Sequence, residues 1–332
     1  MWTTKFLLIF IILASHIESK SQDIHLTDYK TFSNFFNPAQ TGDYIGYVKV
    51  QASTRTQYER TYEQGMVGSQ FNVFSPINKK HWIGAGLNFV YDRSGSLSLQ
   101  ATGGDLLVAY HIPLGKKQNQ TISLGGSYGF ASIGADTKNY KSENTILGNF
   151  DPDKLALSTL NTQIFSSSAG IYFKSKILKI HLLKAGISII RLNSPAFSVL
   201  GNKSEANWGK RLNIFVSHKH TINKIIQIEP AIYFSHSENQ NNINLQILSE
   251  WKFAKKNNWK AAIGIAQRWD ESTDFITGYK TENLYISLAF DILSSSSAGV
   301  LRNPGAIELG AYYIFYKNTK PKIKPTIFCP KL

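Results

Sequence analysis

Apolar and polar residues alternate along most of this chain, which is the pattern of β-strands whose two faces meet different surroundings. Ile226, Ile228 and Ile232 share one face of a predicted strand. Gln227 and Glu229 lie on its opposite face. Segments with this alternation occupy residues 44–55, 65–74, 82–91, 98–112, 121–133, 163–174, 180–191, 210–220, 225–236, 242–253, 258–269, 273–280, 283–293 and 305–316. An even number of antiparallel strands of this length predicts a closed barrel that crosses a membrane.

Two all-β architectures compete for this pattern, a soluble β-sandwich and a transmembrane barrel. The predicted polar face is rich in Gly, Ser and Asn and carries charges of both signs, which suits a lumen whose facing walls must accommodate each other. Tyrosine and tryptophan near the predicted strand ends are typical of the interfacial girdles of membrane barrels. Charged residues make up 17% of the chain, below the ~25% of typical soluble domains. We therefore predict an all-β fold, an antiparallel transmembrane β-barrel of about 14 strands.

The N-terminus has the features of a secretory signal peptide. Lys5 precedes an uninterrupted apolar run at 6–14, and the small residues Ser19 and Ser21 precede the predicted cleavage site. The run is too short to be a membrane anchor, because a spanning helix needs about 20 apolar residues. The predicted regions are a signal peptide at 1–21, a periplasmic N-terminal segment at 22–43, an outer-membrane β-barrel at 44–316 and a basic periplasmic C-terminal tail at 317–332. The predicted location is the cell outer membrane.

Connections between the predicted strands alternate between short turns with lysine and longer segments. The short turns are 75–80, 113–120, 173–179, 221–224, 254–258 and 280–282, and the longer connections are 56–64, 134–162, 192–209 and 294–304. Outer-membrane barrels have short turns on the periplasmic side and long loops outside. We expect surface contacts at the loops 134–162 and 192–209, because long outer loops often carry binding.

The lysines of the short turns and the tail account for much of a net charge of +14, from 36 Lys and Arg against 22 Asp and Glu. Two interpretations stay open: lysine solvates short turns well, or a positive periplasmic rim attracts an acidic partner. The candidate contact residues are Lys79, Lys80, Lys116, Lys117, Lys255, Lys256, Lys320, Lys322 and Lys324. Nucleic acid is not an expected partner of an exported chain whose lysines are spread over a rim.

The sequence shows little sign of catalytic or metal chemistry. Cys329 is the only cysteine, which excludes an internal disulfide and a thiolate zinc site. His218 and His220 share a strand face with Val216, which is predicted to look toward lipid, so we expect interfacial histidines rather than metal ligands. Ser217 lies on the other face and cannot pair with them. We expect no cofactor and no enzymatic activity, with a lipid hydrolase as the weaker alternative.

Four stretches carry a resemblance to a known family. They read FSNFFNPAQTGDY (32–44), AGISIIRLNSPAF (185–197), PGAIELGAYYIF (304–315) and FCPKL (328–332). In this order they resemble the PorP/SprF family of Bacteroidetes outer-membrane proteins. The positions that match its motifs are Asn37, Pro38, Asn193, Pro195, Glu308, Cys329 and Pro330. One departure is Leu332, where the family often ends in phenylalanine.

The resemblance implies an accessory component of the type IX secretion system, associated with gliding motility. It further implies partners in the periplasmic part of that system and a cargo protein with a C-terminal sorting domain, in addition to the outer-membrane lipids. The expected role is to help a specific cargo or adhesin to be secreted or anchored at the surface. The alternative is an outer-membrane channel or transporter for small solutes.

Overall fold

The computed structural model describes residues 26–57, 62–74, 80–94, 99–115, 119–135, 148, 161–177, 180–197, 206–237, 240–253, 258–294 and 305–316. The barrel strands are β1 (Val48–Gln57), β2 (Tyr62–Phe74), β3 (Trp82–Ser94), β4 (Leu99–Leu114), β5 (Gln120–Ala135), β6 (Asn161–Ile177), β7 (His181–Ile190), β10 (Arg211–Thr221), β11 (Ile226–Ser237), β12 (Gln240–Lys252), β13 (Lys260–Arg268), β14 (Ser272–Lys280), β15 (Leu284–Leu293) and β16 (Gly305–Phe315). A short hairpin of β8 (Ala196–Phe197) and β9 (Ala206–Asn207) lies in the connection between β7 and β10.

The fourteen long strands form one closed antiparallel barrel, as predicted. Each strand pairs with its neighbour along the chain, and β16 pairs with β1 from Val48 opposite Phe315 to Gln57 opposite Ala306. Closure matters because lipid offers no hydrogen-bond partner to a free strand edge. No helix among the described residues is long and apolar enough to cross a membrane.

The two faces of the wall follow the alternation in the sequence. On β11 and β12, the outward Ile232 and Leu245 are 53% and 43% exposed, whereas the inward Glu229 and Asn244 are 4% and 0% exposed. The apolar face is therefore the outer surface, which meets lipid. At one end of the barrel, Trp259 lies in ring contact with its neighbours on the outer surface, as expected of an interfacial girdle.

The two ends of the barrel differ in the lengths of their connections. At the end where β1 begins and β16 ends, here called the short-turn end, β10 joins β11 through residues 222–225 and β14 joins β15 through 281–283. At the opposite, long-connection end, 25 residues at 136–160 join β5 to β6, and 191–210 join β7 to β10. This asymmetry assigns the short-turn end to the periplasm.

The N-terminal segment lies elsewhere than predicted. Its described part, residues 26–43, is folded inside the barrel and not in the periplasm. It contains a short helix, α1 (Ser33–Phe36), and a 3-10 helix, η1 (Pro38–Gln40). Because the inner wall is rich in charged and amide groups, a segment that supplies hydrogen bonds there is stabilised by being enclosed. We call residues 26–43 the plug.

A charge placed on the outer face will test which side of the wall meets lipid. Leu245 lies near the middle of β12, and Asn241 lies on the same face at its long-connection end. We expect Leu245→Arg to lower the free energy of unfolding by about 2–4 kcal/mol and Asn241→Arg by about 0–1 kcal/mol, because the cost falls toward the interface. The measurement is reversible denaturant unfolding from lipid vesicles. Equal costs at the two positions would contradict a lipid-facing outer wall.

Candidate functional site

The plug fills the lumen with its own small apolar core. Leu26, Phe32 and Phe36 are buried together with Met66 of β2. Tyr29 stacks on Tyr233 of β11 with ring centroids 3.9 Å apart. The plug is thereby packed against opposite sides of the wall.

The start of the plug is held by an ion cluster in the long-connection half of the lumen. The backbone N–H groups of Thr27 and Asp28 donate to the carboxylate of Glu308, at 2.6 and 3.0 Å. The hydroxyl of Thr27 donates to Asp291 at 2.9 Å and accepts from Arg55 at 2.7 Å. All of these side chains are almost fully buried, so removing one partner would leave an uncompensated polar group.

The same cluster contains ion pairs between five wall strands. Arg55 of β1 pairs with Asp291 at 2.6 Å and with Glu308 at 3.4 Å. Arg268 of β13 pairs with Asp274 at 3.4 Å and with Asp291 at 3.7 Å. We call Arg55, Arg268, Asp274, Asp291 and Glu308 the upper ion cluster. It contains three carboxylates and two guanidinium groups.

The Asn37–Pro38 motif fixes the middle of the plug to the wall. The side chain of Asn37 accepts from the N–H of Ala39 at 2.9 Å and donates to the carbonyl oxygens of Ile171 and Ile187, at 3.0 and 3.3 Å. Pro38 is the first residue of η1, a position where its missing N–H costs nothing. One asparagine thus begins a 3-10 helix and ties it to β6 and β7.

A glycine in the wall leaves room for η1, because a side chain there would overlap it. A Cβ built on Gly125 of β5 would lie 2.5 Å from the Cα of Ala39, which is closer than two carbon atoms can approach. Gly126, the next residue, lies on the outer face, and a Cβ built on it would have no neighbour closer than 3.4 Å. The plug therefore requires a glycine at Gly125, whereas no close contact requires one at Gly126.

The last residues of the plug are bonded at the short-turn end. The carbonyl of Thr41 lies 2.7 Å from the His111 ring nitrogen, and the indole N–H of Trp82 donates to the carbonyl of Gly42 at 3.1 Å. Asp43 accepts from the hydroxyl of Tyr172 at 2.6 Å and pairs with Lys174. Burial alone would raise the pKa of Asp43, but the positive charges of Lys174 and Lys184 lower it to about 2.

A second ion cluster surrounds Lys30 of the plug near the short-turn end. Lys30 pairs with Glu229 at 2.7 Å and with Glu250 at 3.6 Å. Glu250 also lies within 2.9–3.2 Å of three wall lysines, which are Lys219, Lys260 and Lys280. The alternation predicted Glu229 on the polar face of its strand, but no signal in the sequence pointed to Lys30 as its partner.

The predicted partner-contact lysines fall almost entirely outside the described residues. Lys80, the exception, is exposed just before β3. Lys79, Lys116, Lys117, Lys255, Lys256, Lys320, Lys322 and Lys324 lie outside the described residues, as do Cys329 and Pro330. The rim of lysines and the Cys329–Pro330 motif therefore stay predictions.

The motif positions separate into two places. Asn37, Pro38 and Glu308 all lie in the lumen, where they hold the plug at different points. Asn193 and Pro195 lie instead in the connection that follows β7. There Asn193 donates to the carbonyl of Phe165 at 2.8 Å and accepts from the N–H of Ser167 at 3.1 Å.

The two histidines on β10 have a third neighbour that the sequence did not suggest. His181 of β7 lies 3.0 Å from His218 and 3.1 Å from His220, measured between ring nitrogens. All three lie on the outer face near the short-turn end. Within the described part of the chain, no group of three or more His, Cys, Asp or Glu residues is arranged to hold a metal ion.

Solved structures similar to this one are outer-membrane barrels. The toluene transporter TbuX of Ralstonia pickettii has 12% identity and a TM-score of 0.52, over 86% of this chain and 93% of that one. A deletion mutant of the TodX monoaromatic hydrocarbon channel has 10% identity and a TM-score of 0.50, over 85% and 93%. The CymD monoaromatic hydrocarbon channel has 7% identity and a TM-score of 0.50, over 86% and 93%. At these identities the similarity establishes the fold alone.

A sequence profile described as type IX secretion system membrane protein PorP/SprF matches residues 18–313. The chain belongs to the PorP/SprF family. The match includes Asn37, Pro38, Asn193, Pro195 and Glu308 and ends before the Cys329–Pro330 motif. No curated protein matches the chain. As a PorP/SprF protein with a barrel fold, it is located in the outer membrane, and its family implies association with components of type IX secretion.

The pair of adjacent glycines provides a test of the plug. Gly125→Leu is expected to displace η1 from β5, because the new side chain would meet the backbone of Ala39. Gly126→Leu adds the same side chain on the lipid-facing side and serves as the control. We expect Gly125→Leu alone to raise the conductance of the purified barrel in planar bilayers several-fold. Equal conductance in the two variants would contradict a plug seated against β5.

The two motif asparagines provide a second comparison. Asn37→Ala removes three hydrogen bonds in the lumen and is expected to weaken plug seating by about 1–3 kcal/mol. Asn193→Ala removes hydrogen bonds outside the lumen and should leave the plug in place. Limited proteolysis at residues 26–43 is the measurement, with faster cleavage expected in Asn37→Ala only. Similar cleavage rates in both variants would argue against the assigned role of Asn37.

Proposed function

We propose that this PorP/SprF protein helps a specific cargo protein, such as an adhesin of the gliding-motility type, to be secreted or anchored at the cell surface. The observation that carries this proposal is the plug, which occupies the lumen from Asp43 at the short-turn end to Thr27 in the long-connection half. A barrel filled by its own chain serves as a fixed platform in the outer membrane. Its two ends are then the surfaces that meet partners.

The proposed partners follow from the orientation of the barrel. The short-turn end faces the periplasm, where the lysine-bearing turns are placed to meet components of the secretion system. The connections 134–162 and 192–209 lie at the opposite end and are the proposed contacts with cargo that carries a C-terminal sorting domain. The outer wall contacts membrane lipids.

A solute channel is the alternative, and the plug argues against it. The similar barrels named above are described as a transporter and as channels, but their likeness to this chain is a likeness of fold. Here Phe32, Asn34 and Asn37 of the plug are at most 1% exposed within the lumen. An open path for solutes would require the plug to leave these contacts.

We also propose that the protein is not an enzyme. A rim hydrolase would need a serine and a histidine within hydrogen-bond reach. On β10 the histidines face outward and contact His181, whereas Ser217 faces the lumen and donates to Glu229 at 3.4 Å. This arrangement separates the local serine from the histidines.

The proposed role predicts loss of one cargo from the cell surface. We expect deletion of the gene in its native host to reduce surface exposure of a protein with a type IX sorting domain, and the wild-type gene to restore it. The measurement is surface labelling followed by mass spectrometry, with another outer-membrane barrel as the control for membrane integrity. An unchanged set of surface proteins after deletion would contradict the proposal.

A further inference from the structure

Lysine side chains are concentrated inside the barrel at the short-turn end. Among the lysines that project into the lumen from the last four residues of a strand at this end are six that we call the mouth lysines: Lys49, Lys174, Lys184, Lys219, Lys260 and Lys280. They differ from the lysines of the turns, because they belong to the inner wall. Five of the six have side chains that are 16–28% exposed, so their ammonium groups can be reached from outside.

Carboxylates are too few to neutralise this end. The mouth lysines and Lys30 supply seven positive charges, and the acids within 4 Å of them among the described residues are Asp43, Glu229 and Glu250. Glu250 alone is shared by four lysines. Among these described groups, positive charges therefore exceed carboxylates by four.

Lys49 shows the shortage of carboxylates most directly. It is 7% exposed, and its ammonium group lies 4.5 Å from the centre of the Tyr312 ring. No carboxylate among the described residues forms an ion pair with it. A buried ammonium group whose partner is a ring face is stabilised further when an anion binds beside it.

The opposite half of the lumen does not share this excess. In the upper ion cluster, Arg55 and Arg268 meet the carboxylates of Asp274, Asp291 and Glu308. Lumen charge is thus asymmetric along the barrel axis, with the positive end at the periplasmic side. An unneutralised cluster in a concave, partly enclosed mouth concentrates its field there.

We propose that the mouth lysines bind an acidic protein segment that enters from the periplasmic side. The lysines lie on six strands around the mouth, a spread that several carboxylates along one chain can match and a single small anion cannot. Their ammonium groups point into the lumen, so the strand wall separates them from lipid headgroups on the outer surface. This inference gives the chemistry of a partner in the secretion role proposed above, and it rests on that role.

Binding of a labelled peptide to the purified, full-length protein tests the inference. The probe is a fluorescent peptide of ten glutamates, and the readout is fluorescence anisotropy at low ionic strength. We expect Lys184→Gln combined with Lys280→Gln to weaken binding at least tenfold. Lys210→Gln, an exposed lysine at the long-connection end, is the control and should change binding less than twofold. Lys184→Arg combined with Lys280→Arg should restore binding, since the charge is kept.

Three results would overturn the inference. They are unchanged binding in the glutamine double variant, an equal loss in Lys210→Gln, and displacement of the probe by inorganic phosphate as readily as by unlabelled peptide. Each variant is first shown to keep the barrel by its heat-modifiable mobility on gels. Because the assay contains no cargo and no cells, its failure would leave the surface-labelling test of the proposed function unaffected.

Discussion

The inner wall of this barrel carries buried charged and amide groups that need partners, and the plug supplies them. Glu308 accepts from two backbone N–H groups of the plug, and Asn37 of the plug donates to two carbonyls of the wall. With the plug in place these polar groups are withdrawn from water, and the bonds between plug and wall replace those to water. The plug and the wall are therefore one folded unit, and the closed lumen is a consequence of satisfying the wall.

Two nearby residues of the plug, Thr27 and Lys30, meet opposite electrostatic conditions. Thr27 joins a cluster in which three carboxylates face two arginines, and it is fixed there by directional bonds among fully buried groups. Lys30 adds a positive charge to the other cluster, where lysines already outnumber acids. Fully buried, hydrogen-bonded ion pairs are costly to break, whereas a partly exposed excess of one sign can be offset by an external partner. Anchoring and recognition are thus separated along the axis.

Alternation in the sequence predicted all fourteen strands, including the weakly patterned 273–280, which is β14. A period of two is a local property, and a wall with unlike faces imposes it on every strand. The plug has no such period, and its FSNFFNPAQ stretch reads as a polar and aromatic connection. Its placement depends on contacts such as Thr27 with Glu308, 281 positions apart, which one sequence does not specify. The resemblance marked Asn37 and Glu308 as motif positions but did not say that they hold the same segment.

The contacts of the plug also constrain the order in which the structure can form. Thr27 is held by Arg55 from the first barrel strand and by Glu308 from the last, and these two residues face each other across the closing pair of strands. The binding position for Thr27 therefore does not exist until β16 has paired with β1. Contacts of such large sequence separation form late, because the loop they close is costly. A barrel that has not closed therefore lacks the complete binding position for Thr27, whereas the partners of Asn37 and Asp43 lie on β6 and β7, away from the closing strands.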